Sequence, residues 1–163
     1  TVLTLNKNLR GKYNDFLVRR QTEGTEEVTP IYLHLQSFGG SVFAGLSAMD
    51  AILQLRHKVP IHTVVDGCTA SAATFVSVVG TKRYINQNAF MLIHQLSSMM
   101  WGKYSEIQDE MENMERLMKK IKEIYTTYTK LPENKLDSIL EHDLWIDAKQ
   151  CLKYGLVDEI LKV

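Results

Sequence analysis

Residues 70–80 read ASAATFVSVVG, a run of helix length with scarcely a polar side chain. A helix that is apolar all round is stable only when most of its surface is covered, so this segment predicts the middle of a core. PIHTVVDG precedes it and reads as a strand, and Gly80 can stop the helix behind it. The other segments fit the same plan. PIYLHLQS alternates and is rich in β formers, FGGSVFAG follows as a glycine turn, and AGLSAMDAILQLRHK carries Leu46, Met49, Ile52 and Leu53 at helical spacing. KRYINQNAFMLIHQLSS predicts a short strand, a turn at Asn86–Asn88 and a second strand ending near His94. At the start, TVLTL predicts a short strand and NDFLVRRQTEGTE a helix capped by Asn14 or Asp15. At the end, NKLDSILEH predicts a short helix, DAKQCLKYG a helix capped at Asp147 and stopped at Gly155, and LVDEIL a closing strand or helix. Strands alternating with helices predict an α/β domain with a mainly parallel sheet.

The 163 residues suffice for one domain with a real core, and 45% hydrophobic against 23% charged residues marks a globular chain. Nineteen basic side chains balance nineteen acidic ones, which leaves no electrostatic footprint for nucleic acid or an anionic membrane. Cys68 and Cys151 are the only cysteines, too few for a disulfide framework or a zinc pattern, and they fit a reducing compartment. No apolar run approaches the roughly 18–20 residues of a membrane span, and TVLTLNKNLRGKYND has no signal-peptide core. The expectation is a soluble protein of the cytoplasm, or of an organelle interior where a leader has been removed, without metal or cofactor.

SEIQDEMENMERLMKKIKEIYTTYTK predicts one long amphipathic helix. Ile107, Met111, Met114, Leu117, Met118, Ile121 and Ile124 form its apolar stripe. Methionine fills irregular gaps, so the stripe reads as packing rather than cofactor contact. It is too long to be covered by so small a domain, which fits a contact between subunits.

Ser71 stands where the central strand gives way to the apolar helix, between Ala70 and Ala72. It can simply cap or pack that helix. It can also be a nucleophile, if the chain supplies a base, a group to orient the base, and donors for an oxyanion. The free N–H groups of a first helical turn, that of Ala72 included, are such donors. Two further strand ends carry the right groups. His94 in FMLIHQ is either a structural histidine or a base at the sheet edge, where open α/β folds keep their ligands. Gly39 and Gly40 are either a tight turn or a second source of backbone donors. His34 and His62, on strands, are expected to pack there, and His57 to be exposed.

SFGGSVFAGLSAMDAI, GCTASAATF, LIHQ and LWIDAKQCLKYGLVDEI occur in that order over nearly the whole chain and together resemble the proteolytic subunit family of the caseinolytic Clp protease. The resemblance implies the fold of that family and of the crotonases: repeated β-β-α units with a mainly parallel sheet and a protruding handle helix. It implies a single serine peptidase domain over 1–163, with a head at about 1–100 and 140–163 and a handle at about 105–130. It puts the nucleophile on Ser71, the base on His94, the acid on Asp143, and the oxyanion donors on the backbone of Gly40 and Ala72. The residues themselves do not separate Asp143 from Asp137 or Asp147. An extended substrate would lie along Gly39, Ser41 and Val42 on one side and Leu96 on the other. The implied assembly is a heptameric homo-oligomeric ring, open to stacking in pairs through the handles, fed with polypeptide by an AAA+ ATPase unfoldase. Phe38 and Leu96 replace family prolines beside the cleft, and Leu144 replaces a common arginine after the acid. The start of the chain would correspond to the family's first core strand.

Three other readings remain open on sequence: a peptidase of the signal-peptide-peptidase type with a serine–lysine pair, an acyl-CoA enzyme of the crotonase type, and a silent scaffold subunit of a mixed ring.

Overall fold

A computed structural model describes residues 2–23 and 29–162. Helix α1 (Val2–Glu23) opens the chain, followed by β1 (Ile31–Ser37), α2 (Val42–Leu55), β2 (Ile61–Ala70), α3 (Ala73–Val78), β3 (Lys82–Asn86) and β4 (Phe90–Leu92). Then come α4 (Tyr104–Tyr128), α5 (Glu133–Leu140), β5 (Ile146–Asp147), α6 (Ala148–Lys153) and β6 (Glu159–Leu161).

The first segment corrects two expectations. TVLTL is not a strand: its described residues belong to α1, and Asn14 and Asp15 lie inside that helix rather than capping one. Leu5, Leu9 and Tyr13 recur at every fourth residue and turn one face onto the core, with Leu9 only 3% exposed. That spacing outlasts the short alternation of TVLTL. The first described residues are therefore helix, not the core strand expected there. Thr1 lies outside the described residues.

Strand β2 is the axis of the sheet. It pairs in parallel with β1 along one edge. Along the other edge it pairs in parallel first with β3, through residues 62–65, and then with β4, through residues 68–70. Outside these, β6 runs parallel to β3, and β5 runs antiparallel to β4. The sheet is thus mainly parallel, as the alternation of elements predicts. Helix α3 packs on β2 and on α2, and Thr74 through Val78 are all buried, as an all-apolar helix must be. The last helix is capped by Asp147, whose Oδ1 accepts from Gln150 N at 2.8 Å, and ends at Gly155 with a left-handed φ of 65°.

β1 alternates half-buried and exposed residues, so one face of the sheet is open at this edge. His34 lies on that open face and is exposed, a correction to the expectation that it packs; its Nδ1 meets Asp66 Oδ2 at 3.0 Å. His62 does pack, edge-on to Tyr32 at 5.1 Å and beside Tyr84 at 5.8 Å. Burial pushes its imidazole below the usual histidine range, with Lys82 adding to the effect. His57 is exposed.

Helix α4 is two-natured. Residues 103–113 are exposed on every side, Ile107 and Met111 included, whereas Ile121, Ile124 and Tyr125 near its other end are buried in the core. The apolar stripe thus runs off the body of the domain. No helix among the described residues is long and apolar enough to cross a membrane.

Candidate active site

The registers of four strands bring the candidate residues together. Ser37 pairs with Thr69, so two residues further on Gly39 lies beside Ser71. Ala70 pairs with Leu92, and Ser71 N–H donates to Leu92 O at 2.9 Å, so His94 emerges next to Ser71 at the ends of β2 and β4. The antiparallel pair of β4 and β5 matches Phe90 with Asp147 and Met91 with Ile146. Extended three residues, that register sets His94 opposite Asp143. The geometry agrees: His94 Nδ1 and Asp143 Oδ1 are 3.7 Å apart. The other two aspartates that sequence alone leaves open are occupied. Asp137 meets Lys122 Nζ at 2.7 Å, and Asp147 caps α6.

Ser71 adopts φ 56°, the left-handed region, which costs a non-glycine residue roughly 1–2 kcal/mol. Strain of this kind persists only where the surroundings impose it. Here they do. Thr74 N–H donates to Ser71 O at 2.9 Å, and Thr74 Oγ1 donates to the same oxygen at 2.6 Å. Tyr125 OH lies 2.6 Å from Thr74 Oγ1. A threonine hydroxyl has one proton, already given to Ser71 O, so the tyrosine is the donor. Burial raises the Tyr125 phenol well above its ordinary pKa despite the bond to Thr74, so it keeps its proton to donate. Neither Thr74 nor Tyr125 stands out in the sequence as a site residue. The available hint is that Tyr125 continues the buried end of the α4 stripe, four residues after Ile121.

Gly39 has φ 95° and Gly40 φ 143°, conformations that side chains disfavour. Gly39 also has no room for one: a Cβ there would sit 2.6 Å from Ser71 Cβ and 2.7 Å from Ala70 O. Its N–H donates to Ser37 Oγ at 3.2 Å, whereas Gly40 lines the pocket over Ser71.

That pocket, of about 90 Å³, gathers most of the expected residues. Gly40, Val42, Ser71, Ala72, His94 and Leu96 line it, with Gln95 and Ser97 beside them and Phe75, Ile121 and Tyr125 beneath. Gly39 and Ser41 are not in its wall; they line a neighbouring groove behind the glycine turn. Asp143 reaches the site only through His94 and is 79% exposed against 24% for the histidine. Beside it, the exposed ring of Phe38 meets Trp145 edge-on at 6.4 Å, joining the glycine turn to the loop of the aspartate. Leu144 is 68% exposed. No three His, Cys, Asp or Glu side chains gather among the described residues where they could hold a metal ion.

The family profile described as Clp protease matches residues 17–163. The chain belongs to the Clp protease family. It is 32% identical over 142 residues to ATP-dependent Clp protease proteolytic subunit 2 of Treponema denticola, covering 86% of this chain and 70% of the relative. It is 33% identical over 144 residues to the ATP-dependent Clp protease proteolytic subunit of Streptococcus mutans, covering 86% and 72%. The subunit 2 protein of Treponema pallidum is 32% identical over 135 residues, covering 82% and 67%. The resemblance carried by the sequence motifs is therefore a family relationship, and the mixed α/β fold with its curled sheet is the Clp protease fold.

Proposed function

We propose that this chain is a serine endopeptidase that hydrolyses unfolded polypeptide. The observation that carries the reading is the meeting, at the ends of β1, β2 and β4, of a strained serine, a histidine lining the same pocket, and an aspartate 3.7 Å from that histidine. In the reaction, Ser71 Oγ attacks the scissile carbonyl while His94 takes its proton. Asp143 orients the imidazole and stabilises its charged form, and His94 returns the proton to the leaving amine. The N–H groups of Gly40 and Ala72 bind the oxyanion; Ala72 is the N-terminal cap of α3, where no carbonyl of a preceding turn competes for its N–H. The bond of Gly39 N–H to Ser37 Oγ supports assigning the donor role to Gly40. Water then hydrolyses the acyl-enzyme by the same proton transfers. The chemistry needs no cofactor. Substrate lies extended between residues 39–42 and residues 95–97, held by main-chain bonds that read little sequence.

The active unit is a homo-oligomeric ring, heptameric as in the family and paired through the α4 handles, working in the cytoplasm or an organelle interior. The exposed half of α4, with Tyr104 at its start and Met99 and Trp101 just before it all more than three-quarters exposed, is the surface such pairing would cover. The names of the relatives, which combine "ATP-dependent" with "proteolytic subunit", support an AAA+ unfoldase as the partner that delivers substrate.

The test is a fluorophosphonate probe followed by intact mass and peptide mapping, with sizing of the same sample. Labelling at Ser71 that is lost in Ser71→Ala and in His94→Ala is the expected result. An assembled ring that takes no label overturns the reading.

A further inference from the structure

We infer that Thr74 and Tyr125 are positioning residues for the oxyanion hole: by holding the carbonyl of Ser71 they fix the direction of Ala72 N–H. The inference rests on the serine peptidase reading and adds to it the residues that aim one of its two donors.

Ser71 O and Ala72 N–H belong to one peptide unit. That unit is planar, and no peptide among the described residues is cis, so its C=O and N–H point in opposite directions. Whatever fixes the oxygen therefore aims the N–H. Two donors fix the oxygen, Thr74 N at 2.9 Å and Thr74 Oγ1 at 2.6 Å, and both draw it toward α3. The N–H of the same unit is left facing the glycine turn: Ala72 N lies 3.2 Å from where a Cβ on Gly39 would stand. Gly40, the other proposed donor, is the next residue of that turn and borders the same pocket as Ser71 and Ala72. On the other side of the serine, Ser71 N–H is held by Leu92 O at 2.9 Å. Both peptide units that flank the serine are thus anchored, which is how a non-glycine residue stays at φ 56°.

Tyr125 directs the second of those bonds. A threonine hydroxyl rotates about its C–O bond and has one proton and two lone pairs. Tyr125 OH lies 2.6 Å from Thr74 Oγ1 and, with the threonine proton given to Ser71 O, is the donor. Filling one lone pair of the threonine oxygen leaves its proton aimed at the carbonyl, and along a chain of hydrogen bonds each donor strengthens the next. Thr74 is fully buried and Tyr125 is 1% exposed, so water is kept from both hydroxyls. The tyrosine ring is itself held edge-on to Phe75 at 6.1 Å. Both residues act through the Ser71 carbonyl, and neither gives or takes a proton in the reaction.

The experiment uses the assembled protein, a fluorogenic peptide and a peptide aldehyde of the same sequence. Ser71 Oγ adds to the aldehyde carbon, the serine proton passes to His94, and the carbonyl π pair becomes an alkoxide resting on the two N–H groups. Aldehyde affinity therefore reads the oxyanion hole. Thr74→Val removes the hydroxyl at nearly constant shape. Its N–H still holds Ser71 O, so the loss is part of the roughly 10²- to 10³-fold that removing a donor outright costs. The expected result is a fall of about tenfold or more in kcat, KM within about threefold, and aldehyde affinity weakened by a factor similar to that in kcat. The pH profile of kcat should stay in place, because His94 and Asp143 are untouched. Thr74→Ser, which restores the hydroxyl, should recover most of both losses. Tyr125→Phe should cost about threefold in kcat beside Thr74 and nothing further beside Thr74→Val. The double variant leaves no hydroxyl of the pair without a partner, and serves where Thr74→Val alone does not fold. Wild-type kcat and aldehyde affinity in the double variant overturn the inference. So does a lower kcat with unchanged aldehyde affinity, the mark of a smaller active fraction. A wild type that is labelled by the fluorophosphonate and cleaves the peptide, with variants that match it, sinks the positioning inference alone. No label and no cleavage by the wild type sinks the peptidase reading and the inference with it.

Discussion

Gly39→Ala is the most demanding test of how the site is built. The added Cβ would lie 2.6 Å from Ser71 Cβ, 2.7 Å from Ala70 O and 3.2 Å from Ala72 N. Carbon atoms in contact sit about 3.5–4.0 Å apart, so the glycine turn and the Ser71 backbone must separate by roughly 1 Å. Neither partner is a flexible side-chain tip. Ser71 is anchored by Leu92 O and by Thr74, and Gly39 by Ser37 Oγ. The alanine must also hold φ near 95°, which costs about 1–3 kcal/mol. Displacing reacting groups by about 1 Å costs on the order of 10²-fold in rate. The expected outcome is a fall of about 10²-fold or more in kcat/KM on a fluorogenic peptide, equally slowed fluorophosphonate labelling, and a stability loss of about 1–3 kcal/mol by chemical denaturation. Gly11→Ala is the control. Gly11 lies inside α1 with nothing within 4 Å of a new Cβ, and the substitution should stabilise by about 0.5–1 kcal/mol with activity unchanged. Gly39→Ala activity within threefold of wild type would refute the claim that the glycine turn and Ser71 form one close-packed unit.

Asp143→Asn should lower kcat by about 10²- to 10⁴-fold, toward the lower end because water already reaches the exposed carboxylate, with the size of the assembly unchanged by gel filtration. Arg83 clamps Asp158 through Nε at 3.0 Å and Nη2 at 2.5 Å, and donates through Nη1 to Tyr128 O and Gly155 O. Partial burial raises the Asp158 pKa, but Arg83 outweighs it and the net shift is downward. A depressed carboxylate stabilises the fold above its unfolded pKa and loses that contribution as pH falls through the folded value. Urea unfolding of Asp158→Asn should therefore show a deficit of about 1–3 kcal/mol near neutral pH that shrinks below about pH 4. Burial pushes the Cys151 thiol up to about 12, so Ellman's reagent at pH 8 should reach it only when the protein unfolds; rapid reaction in the native state would contradict its place in the core.

What the sequence discloses is what local pattern determines. The strand–helix succession, the buried helix after Ser71, and the Asp147 and Gly155 boundaries all rest on periodicity or a cap within a few residues. Ser71, His94 and the glycine turn were visible because each sits at the end of an element that pattern defines. TVLTL failed because five residues of alternation fit a strand as well as the edge of a helix; only Leu9 and Tyr13, further along, carry the helical spacing. His34 failed because alternation in β1 names two faces without saying which one stays open.

The proposed acid could not be chosen locally at all. Asp137, Asp143 and Asp147 are equivalent on paper, and what separates them is a two-residue strand whose antiparallel register with β4 is set 57 positions away in sequence, Phe90 against Asp147. The same holds for Thr74 and Tyr125, 51 residues apart, which meet only because α4 crosses beneath α3. In this chain the groups proposed to react lie where local signals end, and those that orient them come from long-range pairing. Asp143 and Tyr125 are also the two whose surroundings differ most. One is open to solvent on a loop. The other is sealed in the core and tied through Thr74 to the carbonyl of Ser71. The acid end of the proposed triad therefore rests on an exposed loop, whereas the serine end is set by packing in the core.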